Sequence, residues 1–309
     1  MHRLLSRLLA LFAAFSLALA GTPGWARQRL PTPVPNRLVP AETVAHPALW
    51  KVTRGATTIY LFGTVHALPQ GITWYDGTVA NAFEHSDELV TEIVESTPEE
   101  MQALVLARAV LPQGKSLRSM LKPKDRAALE GALKANAMPA DAFDRFEPWY
   151  AAVALATLPL LKDGYGTENG VEVALDAKAK ALGRPHGALE TAAYQLGLFG
   201  SLPVEVQKHY LRDVIDNLPT LRRDLAAMIG EWSVGNAAKL AELMNQDADD
   251  PLLTKLLLTD RNKAWAQWLK ARLDKPGTVF VAVGAGHLAG PGSVQEQLKL
   301  LGIAATRVQ

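Results

Sequence analysis

Two histidines in this sequence each follow a glycine by three positions, and each glycine closes a run of β-branched and aromatic residues. Thr57 to Phe62 runs into Gly63 and then His66, and Thr278 to Val283 runs into Gly284 and then His287. A buried strand ending in a glycine turn presents its next few residues at the rim of its sheet, where α/β proteins keep their ligand sites. Two carboxylates fall in comparable places. Glu92 lies inside the apolar run Asp87 to Val94, which reads as a strand, and Glu190 comes after Pro185 to Leu189, a segment short enough for another. Glu92 in such a run is either an edge-strand surface residue or a site residue, and the cost of burying an unpaired carboxylate favours the site. Arg261 and Asn262, near the start of the last helical stretch before His287, form either a surface pair or a further polar element of that site.

Neutral imidazoles and carboxylates together suit a borderline divalent ion such as zinc, manganese or cobalt, and an open coordination position would hold a water of lowered pKa. Hydrolysis is the natural use of that chemistry. Without a metal, the same groups supply a general base and acid. A serine triad has less support, since no G-x-S-x-G elbow occurs and Ser293 comes after a strand instead of ending one. The chain has no cysteine, which excludes thiol catalysis and disulfide partners. A third Gly-x-x-His, Gly183 to His186, has Pro185 blocking a helix and a glycine suited to a helix C-terminus, so His186 reads as structural.

The elements that must position these groups alternate between short β runs and a long helical middle. Leu49 to Thr53 and Thr57 to Phe62 flank Arg54-Gly55-Ala56 as a hairpin, and Asp76 to Ser86 has helical spacing. From Pro98 to Gly183 the pattern is helical, with Pro112, Pro123, Pro139, Pro148 and Pro159 each expected near a helix start. Thr97, Pro98 and Glu100 form a capping box with proline at the first helical position. Glu172 opens a further helix, and residues 194 to 273 are again helical, with Trp265 and Trp268 as core anchors. Ser293 to Leu301 reads as a last helix and Ala304 to Val308 as a last strand. The expected fold is mixed α/β (α+β): a central sheet with a large helical middle segment, its two strand-Gly-x-x-His units brought together.

Arg3 and Arg7 precede an apolar run from Leu8 to Leu19 and then Ala18-Leu19-Ala20, which has the form of a secretory signal over residues 1–20. Cleavage is expected after Ala20, or after Ala26, giving a periplasmic or secreted protein with no membrane span after cleavage. Five prolines make residues 21–46 a Pro-rich leader, and residues 47–309 form the folded domain. The full chain carries a net charge of +1, with no polybasic segment, which argues against nucleic acid as a partner.

Taken in order, LFGTVHALP, LVTEIVE, GVEVALDAKAKALGRPHGALET, DRNKAWAQWL and VFVAVGAGHLAGPGSV resemble the TraB/GumN family, whose animal relatives are the Tiki proteins. The resemblance implies a metal-dependent hydrolase or peptidase fold, more distantly related to erythromycin esterases and haem-binding ChaN-like proteins. Carried over by position, it implies His66, His287, Glu92 and Glu190 as metal ligands, with Glu92, Glu190, Arg261 and Asn262 as catalytic groups. Where many members have aspartate, this chain has Glu172, one methylene longer, and the resemblance assigns it no role here. The leading expectation is an exported hydrolase of an amide or ester bond, in a peptide or small molecule, using Mn, Co or Zn. The alternative is a periplasmic binding protein that holds haem, metal or another ligand without turnover.

Overall fold

The computed structural model describes residues 43–75, 77–94, 96–162, 165, 169–245 and 251–309. The expected signal sequence and most of the Pro-rich leader lie outside the described residues. Eight strands are present among them: β1 (Thr43–Val44), β2 (Leu49–Arg54), β3 (Thr57–Thr64), β4 (Ile72–Thr73), β5 (Glu88–Thr91), β6 (His186–Ala188), β7 (Gly277–Gly284) and β8 (Thr306–Arg307). Six of them form one mixed sheet in the order β6-β5-β7-β3-β2-β8, and β1 pairs with β4 apart from it. β6, β5, β7 and β3 are parallel, whereas β2 runs antiparallel to both β3 and β8.

The parallel core explains why TVFVAV shows no polar alternation: helices cover both faces, so both sets of side chains are buried. Phe62, Leu89, Phe280 and Ala282 face one apolar cluster, which includes Val79 and Phe83 of the helix Gly77–Glu84 and Leu175 of the helix Val171–Ala181. Leu61, Val90 and Val281 point to the other face and pack with Leu269 of the helix Asp260–Arg272 and Leu298 of the helix Val294–Leu300. The paired positions Leu61, Val90 and Val281 lie side by side, so the register keeps like faces together. The helical middle builds a core of its own around Trp149, Phe199 and Tyr210.

The hairpin forms as expected, turning at Gly55-Ala56. Pro98 and the Thr97–Glu100 capping box open the helix Pro98–Arg108. Pro123 and Pro148 also begin helices. Pro159 instead lies inside Pro148–Lys162, and Pro112 and Pro139 sit in connecting segments. The missing N–H of an interior proline is tolerated where surrounding packing holds the helix together, which propensity alone does not foresee. β5 stops at Thr91, so Glu92 comes just after the strand and does not lie inside it.

Candidate functional site

Because β6, β5, β7 and β3 are parallel neighbours, their C-terminal ends share one rim, and the residues just beyond them come in the order Glu190, Glu92, His287, His66. All four groups singled out in the sequence therefore meet. Gly284 sits among them: a Cβ built there would lie 3.2 Å from Glu92 Oε1, 3.7 Å from His66 Nε2 and 3.7 Å from His287 Cδ2. Gly63 allows a second close approach, since a Cβ on it would stand 3.1 Å from the Ala285 Cα. The two glycines bring the turns after β3 and β7 together without a side chain between them.

Arg261 and Asn262 are a buried pair, 1% and 2% exposed. They begin the helix Asp260–Arg272, directly after a π-helical turn at Lys255–Thr259. Such wide turns occur often at functional sites because they re-aim neighbouring side chains. Arg261 Nη2 donates to Glu92 Oε2 at 2.6 Å and to Glu190 Oε2 at 2.7 Å, while Nε donates to Glu190 Oε1 at 3.0 Å. Nη1 donates to the Leu257 carbonyl at 3.1 Å and to His287 Nε2 at 3.2 Å. The guanidinium lies 4.8 Å from the Trp265 ring centroid, and that ring is 4.3 Å from His287.

Every oxygen of the two carboxylates is satisfied. Gln195 Nε2 bridges Glu92 Oε2 at 3.0 Å and Glu190 Oε2 at 2.9 Å. The Gly284 N–H donates to Glu92 Oε1 at 2.8 Å, and the Trp265 indole donates to Glu190 Oε1 at 2.8 Å. Trp265 is thus a core residue that also serves the site. Burial works to raise the Glu92 pKa, but the positive charge of Arg261, helped by the neighbouring histidines and the Gly284 N–H, holds it far below the carboxylate range.

The histidines differ. His287, 1% exposed, has Nδ1 2.5 Å from Asn262 Oδ1, an acceptor, so Nδ1 carries the proton and Nε2 accepts from Arg261. Asn262 in turn is anchored by its Nδ2, which donates to the Gly292 carbonyl at 2.9 Å. Burial, then the Arg261 charge, pushes the His287 pKa down to about 3, leaving a neutral ring. At His66, burial also favours the neutral form, but the Glu172 carboxylate outweighs it and the pKa is raised above the ordinary 6.5. His66 Nδ1 lies 2.6 Å from Glu172 Oε1, which also accepts from the Thr64 hydroxyl. A backbone bond from Val171 N–H to the Val65 carbonyl, 3.1 Å, ties the start of the Glu172 helix to this rim.

His186, in contrast, joins β6 to its surroundings. Its Nδ1 is 2.8 Å from Asp176 Oδ1 and its Nε2 2.7 Å from Thr91 Oγ1, whose own proton goes to the Ile93 carbonyl. His186 thus links Asp176, on the helix Val171–Ala181, to Thr91 at the end of β5.

A shared divalent ion would need free donors on at least three of these groups. Among the described residues no group of three or more His, Asp or Glu is arranged to hold one. The cause is Arg261: its guanidinium takes up acceptors of Glu92, Glu190 and His287. As arranged, the residues do not fit a metal ion.

Gln195, Trp265, Thr64 and the Gly284 N–H escape sequence reasoning. For Gln195 a faint signal exists: Thr191 N-caps the helix Ala192–Gly200 right after Glu190, which sets Gln195 one turn above the strand end. Trp265 lies one turn beyond Arg261 and so shares its face.

A mixed sheet with histidines, carboxylates and a buried arginine gathered beyond its parallel strand ends defines an α/β protein with a charged, acid–base-capable rim site. The chain belongs to the TraB/PrgY/gumN family, whose model matches residues 48–307. It is similar to "Uncharacterized protein YbaP" of Escherichia coli (strain K12), 25% identical over 257 residues, covering 82% of this chain and 92% of that protein. The protein of the same name from Shigella flexneri matches with the same identity and coverage. No solved structure matches the chain.

Proposed function

We propose that this protein is an exported hydrolase of an amide or ester bond, in a peptide or a small molecule, in which His66 is the general base. The observation that carries the reading is the His66–Glu172 pair: Nδ1 is held at 2.6 Å by the carboxylate, Nε2 has no hydrogen-bond partner among the described residues, and the side chain keeps 17% exposure at the rim. Family membership agrees with such a site but does not specify its chemistry.

In this mechanism neutral His66 Nε2 takes a proton from water as the water oxygen adds to the substrate carbonyl carbon. The imidazolium then returns its proton to the leaving nitrogen or oxygen, the C–N or C–O bond breaks, and a carboxylic acid and an amine or alcohol depart. Glu172 stabilises the transient imidazolium and fixes its tautomer. Glu92 and Glu190, both saturated with donors, hold Arg261, and His287 with Asn262 holds it from the other side. Export rests on the N-terminal pattern, and the mature chain is expected to begin at Gly21 or Arg27 by mass spectrometry.

The test is turnover of an activated ester, p-nitrophenyl acetate, and of a fluorogenic peptide library by wild type and His66→Ala. Turnover that falls about 100-fold or more in the variant supports the proposal. Equal rates in the two proteins, or no turnover of either substrate class by wild type, overturn it.

A further inference from the structure

We infer that Arg261 is the built-in cation of this site, occupying the position a divalent ion would take, and that divalent ions bind only in competition with it. The contacts are those of a cation among its ligands. One guanidinium reaches both oxygens of Glu190, one of Glu92, the Nε2 of His287 and a main-chain carbonyl, all between 2.6 and 3.2 Å. The planar fork of arginine suits this better than a point charge, since it serves several acceptors at once. The surroundings are built for it: the π turn places the Leu257 carbonyl under Nη1, Gln195 bridges the carboxylates beneath Nη2, and Trp265 covers the face.

Charge makes the competition strong. Glu92, Glu190 and Arg261 together carry one negative charge, and a divalent ion beside a buried guanidinium meets direct repulsion in a medium that screens poorly. Were Arg261 removed, two carboxylates and His287 Nε2 would lose their common donor. His66 Nε2 and Glu92 Oε1 already flank the same point above Gly284. The donor set for an ion would then exist.

The experiment reads metal binding and not hydrolysis, so it stands or falls apart from the proposed reaction. Wild type, Arg261→Gln, Arg261→Lys and the double variant Arg261→Gln/His66→Ala are titrated with Mn, Co and Zn by calorimetry, with thermal melts in each ion. Wild type and Arg261→Lys are expected to take up no stoichiometric ion at micromolar concentration. Arg261→Gln is expected to bind one ion at least about 100-fold more tightly than wild type. That gain should vanish in the double variant, and the melting temperature of Arg261→Gln should rise with metal while that of wild type stays put. One tightly held equivalent in wild type, undiminished or weakened by Arg261→Gln, overturns the inference. Should Arg261→Gln fail to fold, the wild-type titration decides alone: a tight equivalent sinks the inference and none sustains it.

Discussion

The units Gly63-x-x-His66 and Gly284-x-x-His287 lie on adjacent parallel strands with the same spacing, and the pairing of Thr64 with Gly284 sets them nearly level, yet one ring is held basic and the other is held neutral. His66 faces a carboxylate and keeps one nitrogen open at the rim; His287 faces an amide oxygen and a guanidinium, and is sealed in. The motif therefore places an imidazole at a strand end without settling its job. The groups that meet the two ring nitrogens settle it, and these come from helices far away in the chain.

Replacing His66 by alanine should produce the largest effect, a loss of roughly 100- to 10,000-fold in any hydrolysis, with the denaturation midpoint lowered less than by loss of His287, because the His66 ring keeps some exposure at the rim. Rates and urea unfolding on one preparation check both halves. His287→Ala should invert the pattern. It leaves Asn262 and Arg261 each short of a buried partner and opens a void against Trp265, so stability should fall by roughly 3 kcal/mol or more. If His66→Ala proved the more destabilising of the two, the contrast between an exposed base and a sealed strut would be broken.

Glu172→Gln sharpens the comparison more gently. It removes the main influence holding the His66 pKa above 6.5, so the acidic limb of kcat/KM should move to lower pH while the maximal rate drops about tenfold, as expected of a weaker base. A pH–rate profile that loses height without moving would assign Glu172 a structural task only. His186→Ala, the third Gly-x-x-His, should show the smallest effect: about 1–2 kcal/mol from two lost hydrogen bonds, and no change in kcat/KM.

The two units also respond oppositely to acid. The folded His66 pKa is raised, so its pair with Glu172 stabilises the protein below pH 6.5 and fades as pH rises through the raised value. The folded His287 pKa is depressed to about 3, so between 6.5 and 3 the unfolded chain binds a proton that the folded one refuses, and stability falls as pH falls. His287→Gln should flatten the decline across that window, whereas His66→Gln should leave the slope there nearly unchanged and abolish the gain in stability as pH falls towards 6.5 from above the raised His66 value. Urea midpoints measured from about pH 9 down to about pH 4 would show it, and parallel curves for both variants would contradict the assigned pKa directions.

Much of this rim was legible in the sequence because strand ends announce themselves: a β-branched run, a glycine, then a polar group. β3 with His66 and β7 with His287 obey that local grammar, and the hairpin turn, the capping box and the carboxylates Glu92 and Glu190 after short apolar runs were each marked by local signals of their own. The role of Arg261 was not legible. Its partners Glu92 and Glu190 lie 169 and 71 residues away in sequence, and only the tertiary fold turns a helical Arg-Asn step into the hub of a buried cluster. Gln195 and Trp265 were hidden for the same reason, each looking like ordinary helix packing until its amide or indole N–H finds a carboxylate. The sequence placed Arg261 among the site groups but gave no sign that its guanidinium would contact Glu92, Glu190 and His287 at once.

The position of β7 between β5 and β3 has a consequence for how the chain folds. Its central strand is delivered almost last, so β3 and β5, made early, have no neighbour to join them until Gly277–Gly284 arrives. Contacts so distant in sequence slow folding and leave open strand edges exposed in the meantime. A chain emerging N-terminus first would reach its C-terminal quarter before Arg261 or His287 could enter the rim, so the acid–base cluster cannot assemble on a nascent fragment. Truncation before β7 should therefore yield an aggregating chain with an unformed site, and any protein caught part-way would be a client for chaperones and not a premature catalyst.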